Sequence, residues 1–340
     1  MDNQLPKISY LFGAGASALR LPTIKGLPDR IKYVKEYIDK TYIYEEGDCM
    51  TVNGSTFKSL EAKQFLLDGF DKLYNASQNH STIDTYAKKL YLTSRSNMVD
   101  ELVFILAVYF NVEQKLVGVD PRYNTFLISI LNSSAYEFPE NLKFLSWNYD
   151  LQFEVAYYKL LEEHQGILNY SLFNTPERNW EKEKFSSIKI NGSCNVVDYY
   201  YRSFYNLISG VTTTDANVSD MEWALQYGFH KIKSRLRGFE ARVNINFAWY
   251  KDLSILNKIS GLHSETEVLV VIGYSFPFFN RDVDREIIRA MNSLKKIYIQ
   301  DLYPDNIVSR FLSILPDWKK RGIEIITINT VDEFFLPPEL

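Results

Sequence analysis

Apolar residues recur along the chain in two rhythms. Short, nearly continuous apolar runs mark strands: Tyr10 to Phe12, Leu142 to Trp147, Ser187 to Ile190, Val268 to Tyr274, Lys296 to Gln300 and Ile323 to Ile328. Between them, apolar residues three and four apart mark helical faces. Ile31, Val34 and Ile38 share one face, as do Phe65, Leu66, Phe70, Leu73 and Tyr74. Leu102 to Phe110 and Tyr123 to Leu131 read as further buried helices, and Phe153, Ala156, Tyr157, Leu160 and Leu161 as another amphipathic face. Val283, Ile287, Ile288 and Met291 mark a helix between two of the late strands. A last helix is expected from Met221 to Leu236, after an irregular stretch holding the Tyr199-Tyr200-Tyr201 cluster and a Thr/Ser/Asp-rich loop near Thr212 to Ser219.

Apolar strands that alternate with helices form parallel sheets covered on both faces. The expected fold class is therefore α/β: a Rossmann-like parallel sheet with helices on both faces and a large helical insertion. The core is expected over residues 1–26 and 140–330, with the insertion at 27–135, all within a single domain. No Gly/Ser/Pro-rich linker separates the helical block from the sheet.

Composition narrows the function classes. With 340 residues, 46% hydrophobic and 15% aromatic, the chain can bury a large core. Its net charge of −4 carries no basic footprint, so direct nucleic-acid binding is not expected. The longest strongly apolar run, Leu102 to Phe110, is about half a bilayer span, and the N-terminus has no charged-then-apolar leader pattern. A cytoplasmic location is expected, with no membrane partner. Cys49 and Cys194 have no metal-ligand spacing, and His80, His164, His230 and His263 do not cluster. Each histidine is read as a surface or hydrogen-bonding group, and no metal site is expected.

Chemistry gathers at the strand ends. Tyr10-Leu11-Phe12-Gly13-Ala14-Gly15-Ala16-Ser17 runs from a strand through a Gly-x-Gly turn into a small-residue helix start. Glycines permit a sharp turn and close backbone approach, and a helix N-terminus offers N–H groups to a diphosphate. Asn148 to Asp150, Asn191 to Ser193 and Gly273 to Ser275 end three other strands. Ligands of parallel sheets bind outside the carboxyl ends of the strands, at the point where strand order reverses.

Taken in order, four segments resemble the sirtuin-like NAD-consuming domains, in particular the bacterial branch that acts in anti-phage defence. They are Gly13-Ala14-Gly15-Ala16-Ser17 with Pro22 after it, Ser146-Trp147-Asn148-Tyr149-Asp150, Asn191-Gly192-Ser193, and Gly273-Tyr274-Ser275-Phe276-Pro277. The resemblance spans most of the chain. Protein deacylases of the wider family usually carry a four-cysteine zinc module, which this chain, with only Cys49 and Cys194, lacks.

The resemblance implies cleavage of the nicotinamide–ribose bond of NAD+, the substrate, to nicotinamide and ADP-ribose. It implies that Gly13, Ala14, Gly15 and Ser17 hold the diphosphate, with Gly192 and Ser193 also at the dinucleotide. Asn148 and Asp150 would face the nicotinamide ribose, and Gly273, Ser275 and Asp301 would border the adenosine half. Asp301 has a second reading as a helix or turn cap. The family usually has histidine as its base where this chain has Asn191, and an amide cannot accept a proton near neutral pH. Asn191 therefore marks either a weakened catalytic position or a residue that stabilises an Asn-Gly-Ser turn. His230 and His263 are the candidate substitutes.

Family behaviour further implies NAD+ depletion during phage defence, restrained by homo-oligomerisation or by a regulatory or phage-sensing partner. Two other functions stay open: a non-catalytic NAD- or ADP-ribose-binding regulatory subunit, and a protein ADP-ribosyltransferase or deacylase.

Overall fold

The computed structural model describes residues 5–52, 55–131, 138–162, 187–198 and 241–340. The expected helix at Met221–Leu236, the Tyr199–Tyr201 cluster, the loop near Thr212–Ser219, His164 and His230 lie outside these residues.

The described residues divide into two compact units, the first comprising 1–19, 119–191 and 247–340, the second 20–118 and 192–246. The first contains a six-stranded, wholly parallel sheet. Its strands are β1 (Ile8–Phe12), β4 (Leu142–Ser146), β5 (Ser187–Lys189), β8 (Val268–Ile272), β9 (Lys296–Gln300) and β10 (Glu324–Ile328). They lie in the order β10-β9-β8-β1-β4-β5. The chain starts in the middle, builds outward through β4 and β5, then returns to the other side of β1 for β8, β9 and β10. This is the Rossmann-like strand order, and its reversal point lies between β1 and β8.

Residues alternate between the two faces of each strand. Tyr10, Phe12 and Phe144 share one face. There they meet Tyr123 and Phe126 of α5 (Pro121–Ile130), Phe153 of α6 (Gln152–Glu162) and Phe334, with ring centroids 4.9–6.0 Å apart in the closest of these pairs. Leu11, Leu145, Leu269, Val271, Ile297 and Ile299 occupy the opposite face. Covering them are Leu256 and Ile259 of α7 (Leu253–His263), Ile287 and Ile288 of α8 (Arg281–Ala290), and Phe311 of α9 (Pro304–Ile314). With both faces covered, β1 and β8 are buried at every position.

Ser9 is the polar exception within β1. Its hydroxyl hydrogen-bonds His263 Nδ1 at 2.8 Å and Thr266 Oγ1 at 2.7 Å, so burial costs the group no unmet hydrogen bond.

The second unit holds α1 (Leu27–Thr41), α2 (Ser59–Asn79), α3 (Ile83–Leu92) and α4 (Ser96–Val117) with two antiparallel strand pairs, β2 (Cys49–Val52) with β3 (Ser55–Lys58) and β6 (Gly192–Asp198) with β7 (Ala241–Ile245). Helices α2 and α4 pack so closely that a Cβ on Gly69 would stand 2.4 Å from Ile105 Cδ1. Asn111 Nδ2 of α4 donates to the Cys194 carbonyl of β6 at 2.7 Å.

The division differs from the expected boundaries in three respects. Helix α5 belongs with the sheet, because its aromatic residues complete the core against Tyr10 and Phe12. The β6–β7 strand pair belongs with the helical unit, and the β2–β3 hairpin interrupts a stretch expected to be helical. No single helix among the described residues is long and apolar enough to cross a membrane.

Candidate functional site

Strand order brings three of the motif segments, and Asn191 from the fourth, to one edge. The turns after β8, β1, β4 and β5 leave the carboxyl ends of four consecutive strands, with the reversal point between the first two. Hydrogen bonding of the sheet type continues one residue past the strands: Gly13 N donates to Ile272 O at 3.0 Å, Trp147 N to Phe12 O at 3.0 Å, and Ile190 N to Ser146 O at 2.8 Å.

The first turn is tighter than expected. In place of a helix start, Ala14–Ser17 forms one short 3-10 turn. Gly15 N donates to Gly273 O at 2.9 Å and Ala16 N to Gly13 O at 2.9 Å, so these N–H groups and that of Gly13 are already engaged within the chain. The glycines answer to packing. A Cβ on Gly13 would lie 2.6 Å from Tyr274 Cα, and one on Gly15 would lie 2.6 Å from Gly273 Cα. Gly273 itself has φ +59° and Phe276 has φ +46°, so the turn after β8 uses left-handed backbone twice, the second time in a bulky residue. The packing of Phe276 against Tyr274 and Phe311, at centroid distances of 4.8 and 5.3 Å, holds that conformation.

Beneath the first turn lies a polar cluster. Ser17 is buried; its hydroxyl stands 3.2 Å from the Tyr123 hydroxyl and acts on the Asp150 carboxyl to lower its pKa. Asn148 Nδ2 donates to Gly13 O at 3.0 Å and makes a longer contact to Ser17 Oγ at 3.5 Å. Asp150 Oδ1 also accepts from Gln152 N at 3.1 Å. Burial pushes the Asp150 carboxyl above the usual carboxylate range, with Lys189 acting in the opposite direction. Burial likewise raises the Tyr123 hydroxyl well above its ordinary value, and the Asp150 charge adds to this.

The expected site residues thus separate into groups. Gly13, Gly15, Ser17, Asn148, Asp150 and Gly273 are joined by direct contacts. Asn191 follows β5, is buried, and its amide nitrogen is 3.5 Å from the Tyr149 hydroxyl. Ala14 is exposed on the turn. The Ser275 carbonyl accepts from Arg310 at 3.1 Å, and Asp301 Oδ1 accepts from Tyr303 N at 3.0 Å, the turn-capping arrangement. Gly192, with φ +69°, and Ser193 belong to the second unit. Of the candidate substitute bases, His263 is committed to Ser9 on β1, and burial holds its imidazole down to about 3.

Three supporting groups were not singled out from the sequence. Arg122, on α5, is buried. It donates to Gly15 O and Ala16 O, each at 3.1 Å, and to Asp120 Oδ2 at 2.7 Å, while Asp120 Oδ2 also accepts from Leu19 N at 3.1 Å. Asp284, on α8, is buried and accepts from Tyr274 Oη at 2.9 Å and Trp147 Nε1 at 3.1 Å, tying together the turns after β8 and β4. Lys189, the last residue of β5, donates to the Asp150 carbonyl and pairs with Glu154 at 3.3 Å. Two of them left a trace: a charged residue between Ile188 and Ile190, and Asp284 beside Val283 on the apolar face that continues through Ile287.

The edge as a whole presents backbone turns at a reversal point, with a carboxamide and a carboxylate held beside them in low-dielectric surroundings. Such an arrangement can orient a polar ligand and favour positive charge near Asp150. In comparisons with known proteins, no protein-family model matches the chain, and no curated protein matches it.

Proposed function

We propose that the carboxyl edge of the sheet binds NAD+ and cleaves its nicotinamide–ribose bond. One observation carries this reading: four consecutive strand ends, including both strands at the reversal point, bring Asn148 and Asp150 beside the Gly13–Ser17 turn. Open parallel sheets bind nucleotides at that point. The resemblance of the ordered motifs to sirtuin-like domains supplies the reaction class.

The oxidised nicotinamide ring is a cationic leaving group. As the bond from C1′ to the ring nitrogen breaks, its electron pair neutralises the ring and positive charge moves to the ribose. Water then forms the new C1′–O bond and gives up a proton, leaving nicotinamide and ADP-ribose. The protein's part is to hold the ribose, place the water and stabilise the developing cation. Asp150 is the anion of this edge, and Asn148, fixed through Gly13 O, is its positioned carboxamide. The diphosphate is assigned to the exposed Ala14 side of the turn, because the N–H groups of Gly13, Gly15 and Ala16 are engaged. By the same resemblance, NAD+ depletion in anti-phage defence, a cytoplasmic setting and restraint by self-association or a sensing partner belong to this proposal.

Asn191 favours a second reading, a nucleotide-binding regulatory subunit without turnover. Its amide cannot serve as the base, a role commonly worth about 10²–10⁴-fold.

Nicotinamide release from NAD+ by the parent chain, Asn191→His, and Asn191→His with Asn148→Ala separates these readings. A faster histidine variant whose gain is abolished by Asn148→Ala supports the hydrolase. Equal NAD+ binding with no turnover by any of the three supports the binding subunit, and no NAD+ binding by the parent overturns both.

A further inference from the structure

We propose that Lys189 is a positioning residue of this edge: by joining the Asp150 backbone carbonyl to the Glu154 carboxylate, it fixes the Asn148-Tyr149-Asp150 turn against β5 and helix α6. The role of the turn in holding the ribose rests on the NAD+ reading above. The mechanical role rests on the geometry alone.

Lys189 ends β5 opposite Ser146, which ends β4, so its side chain leaves the sheet beside the strand that carries the turn. Its ammonium donates to the Asp150 carbonyl and lies 3.3 Å from Glu154 Oε1. All three side chains are buried. A flexible amine held at both ends by buried acceptors acts as a strut, because releasing either end strands a polar group away from water.

The charges are unequal. Asp150 is faced by Lys189 from β5, Glu154 from α6, Tyr123 from α5 and Asp120 from the segment before α5, while Arg122 is engaged by Asp120. One ammonium therefore serves two carboxylates, and Glu154 Oε2 is buried without a hydrogen-bond partner among the described residues. Burial raises both carboxyls, and Lys189 opposes that shift in each. Removing the ammonium would leave Asp150 protonated over a wider pH range and its carbonyl unsatisfied.

The test uses Lys189→Met, Lys189→Arg, Glu154→Gln and the double variant Lys189→Met/Glu154→Gln in the full chain. The double variant removes the carboxylate that the methionine would strand, so it keeps the experiment informative if Lys189→Met alone does not fold. Two quantities are read: the titration midpoint of the Asp150 carboxyl by carbon-detected NMR, and NAD+ affinity by calorimetry. Loss of a nearby opposite charge should raise the Asp150 midpoint by roughly 1–3 pH units. NAD+ affinity should fall at least about tenfold in the double variant relative to Glu154→Gln, and Lys189→Arg should restore the midpoint. A folded double variant whose Asp150 midpoint and NAD+ affinity match those of Glu154→Gln overturns the proposal. If the parent chain binds no NAD+ but the midpoint moves as expected, the nucleotide reading falls and the positioning role of Lys189 stands.

Discussion

Gly15 and Gly273 meet backbone to backbone across the reversal point of the sheet. Gly15 N donates to Gly273 O at 2.9 Å, and a Cβ on Gly273 would stand 2.5 Å from Gly15 Cα. The two turns that flank the candidate site are therefore one mechanical unit.

Gly273→Ala should be strongly destabilising, because the added carbon meets backbone and the residue has φ +59°. Overpacking costs about 1–3 kcal/mol and left-handed backbone in a non-glycine residue about 1–2 kcal/mol more. Gly15→Ala should carry the overpacking cost alone. Urea unfolding of both variants tests the ranking, and equal stability to the parent would refute the close contact. For the same reason, a bulky substitution at Gly15 would damage the fold before it probed ligand binding.

Arg122 holds the first turn by its carbonyls. Arg122→Lys keeps the charge but loses the fork that reaches Gly15 O, Ala16 O and Asp120 together. A loss of about 2–4 kcal/mol is expected, within the range for breaking buried charged contacts. Amide exchange at Ala16 to Leu19 should quicken more than exchange in β10. Uniform exchange changes, or none, would show that the arginine does not hold the turn.

Asp284 should titrate above the usual carboxylate range. Burial raises its pKa well above the usual carboxylate value, despite opposing hydrogen bonds from Tyr274 and Trp147. The folded state then holds a proton that the unfolded chain releases above about pH 4, so this group's contribution falls as pH rises through the folded value. Asp284→Asn should flatten that decline and cost less than Asp284→Ala. Asp284→Ala should cost about 2–4 kcal/mol, since it strands the Tyr274 and Trp147 donors and leaves a cavity. Chemical denaturation across pH 4–8 distinguishes the two variants.

His263 has the opposite sign. Its folded pKa is lowered from 6.5 to about 3 by burial, with a smaller push from Lys143. Its contribution is present above the unfolded value near 6.5 and is lost as pH falls toward the folded value. The slope from this one residue approaches about 1.4 kcal/mol per pH unit. Replacing it by Gln, which retains a hydrogen-bonding group for Ser9, should flatten stability between pH 6.5 and 4. An unchanged slope would show that His263 is protonated in the folded chain.

The sequence by itself determined the six strands of the parallel sheet, several of the helices beside them and where the turn residues fall, but not the β2–β3 and β6–β7 pairs or helices α7 and α9. Apolar period is a local property: Val268 to Ile272 reads as a buried strand and Ile31, Val34, Ile38 as a helical face whatever their neighbours. Only the tertiary structure decided that β8 and β4 both border β1, that Gly15 is required by Gly273, and that Asp301 caps its own turn. It alone placed α5 on the sheet and joined Lys189 to Asp150 and Arg122 to Gly15. Apart from the Asp301 turn, these pairings lie tens to hundreds of residues apart in sequence. Their partners are chosen by strand order, register and the need of buried polar groups for hydrogen bonds, none of which leaves a periodic mark on a single stretch of chain.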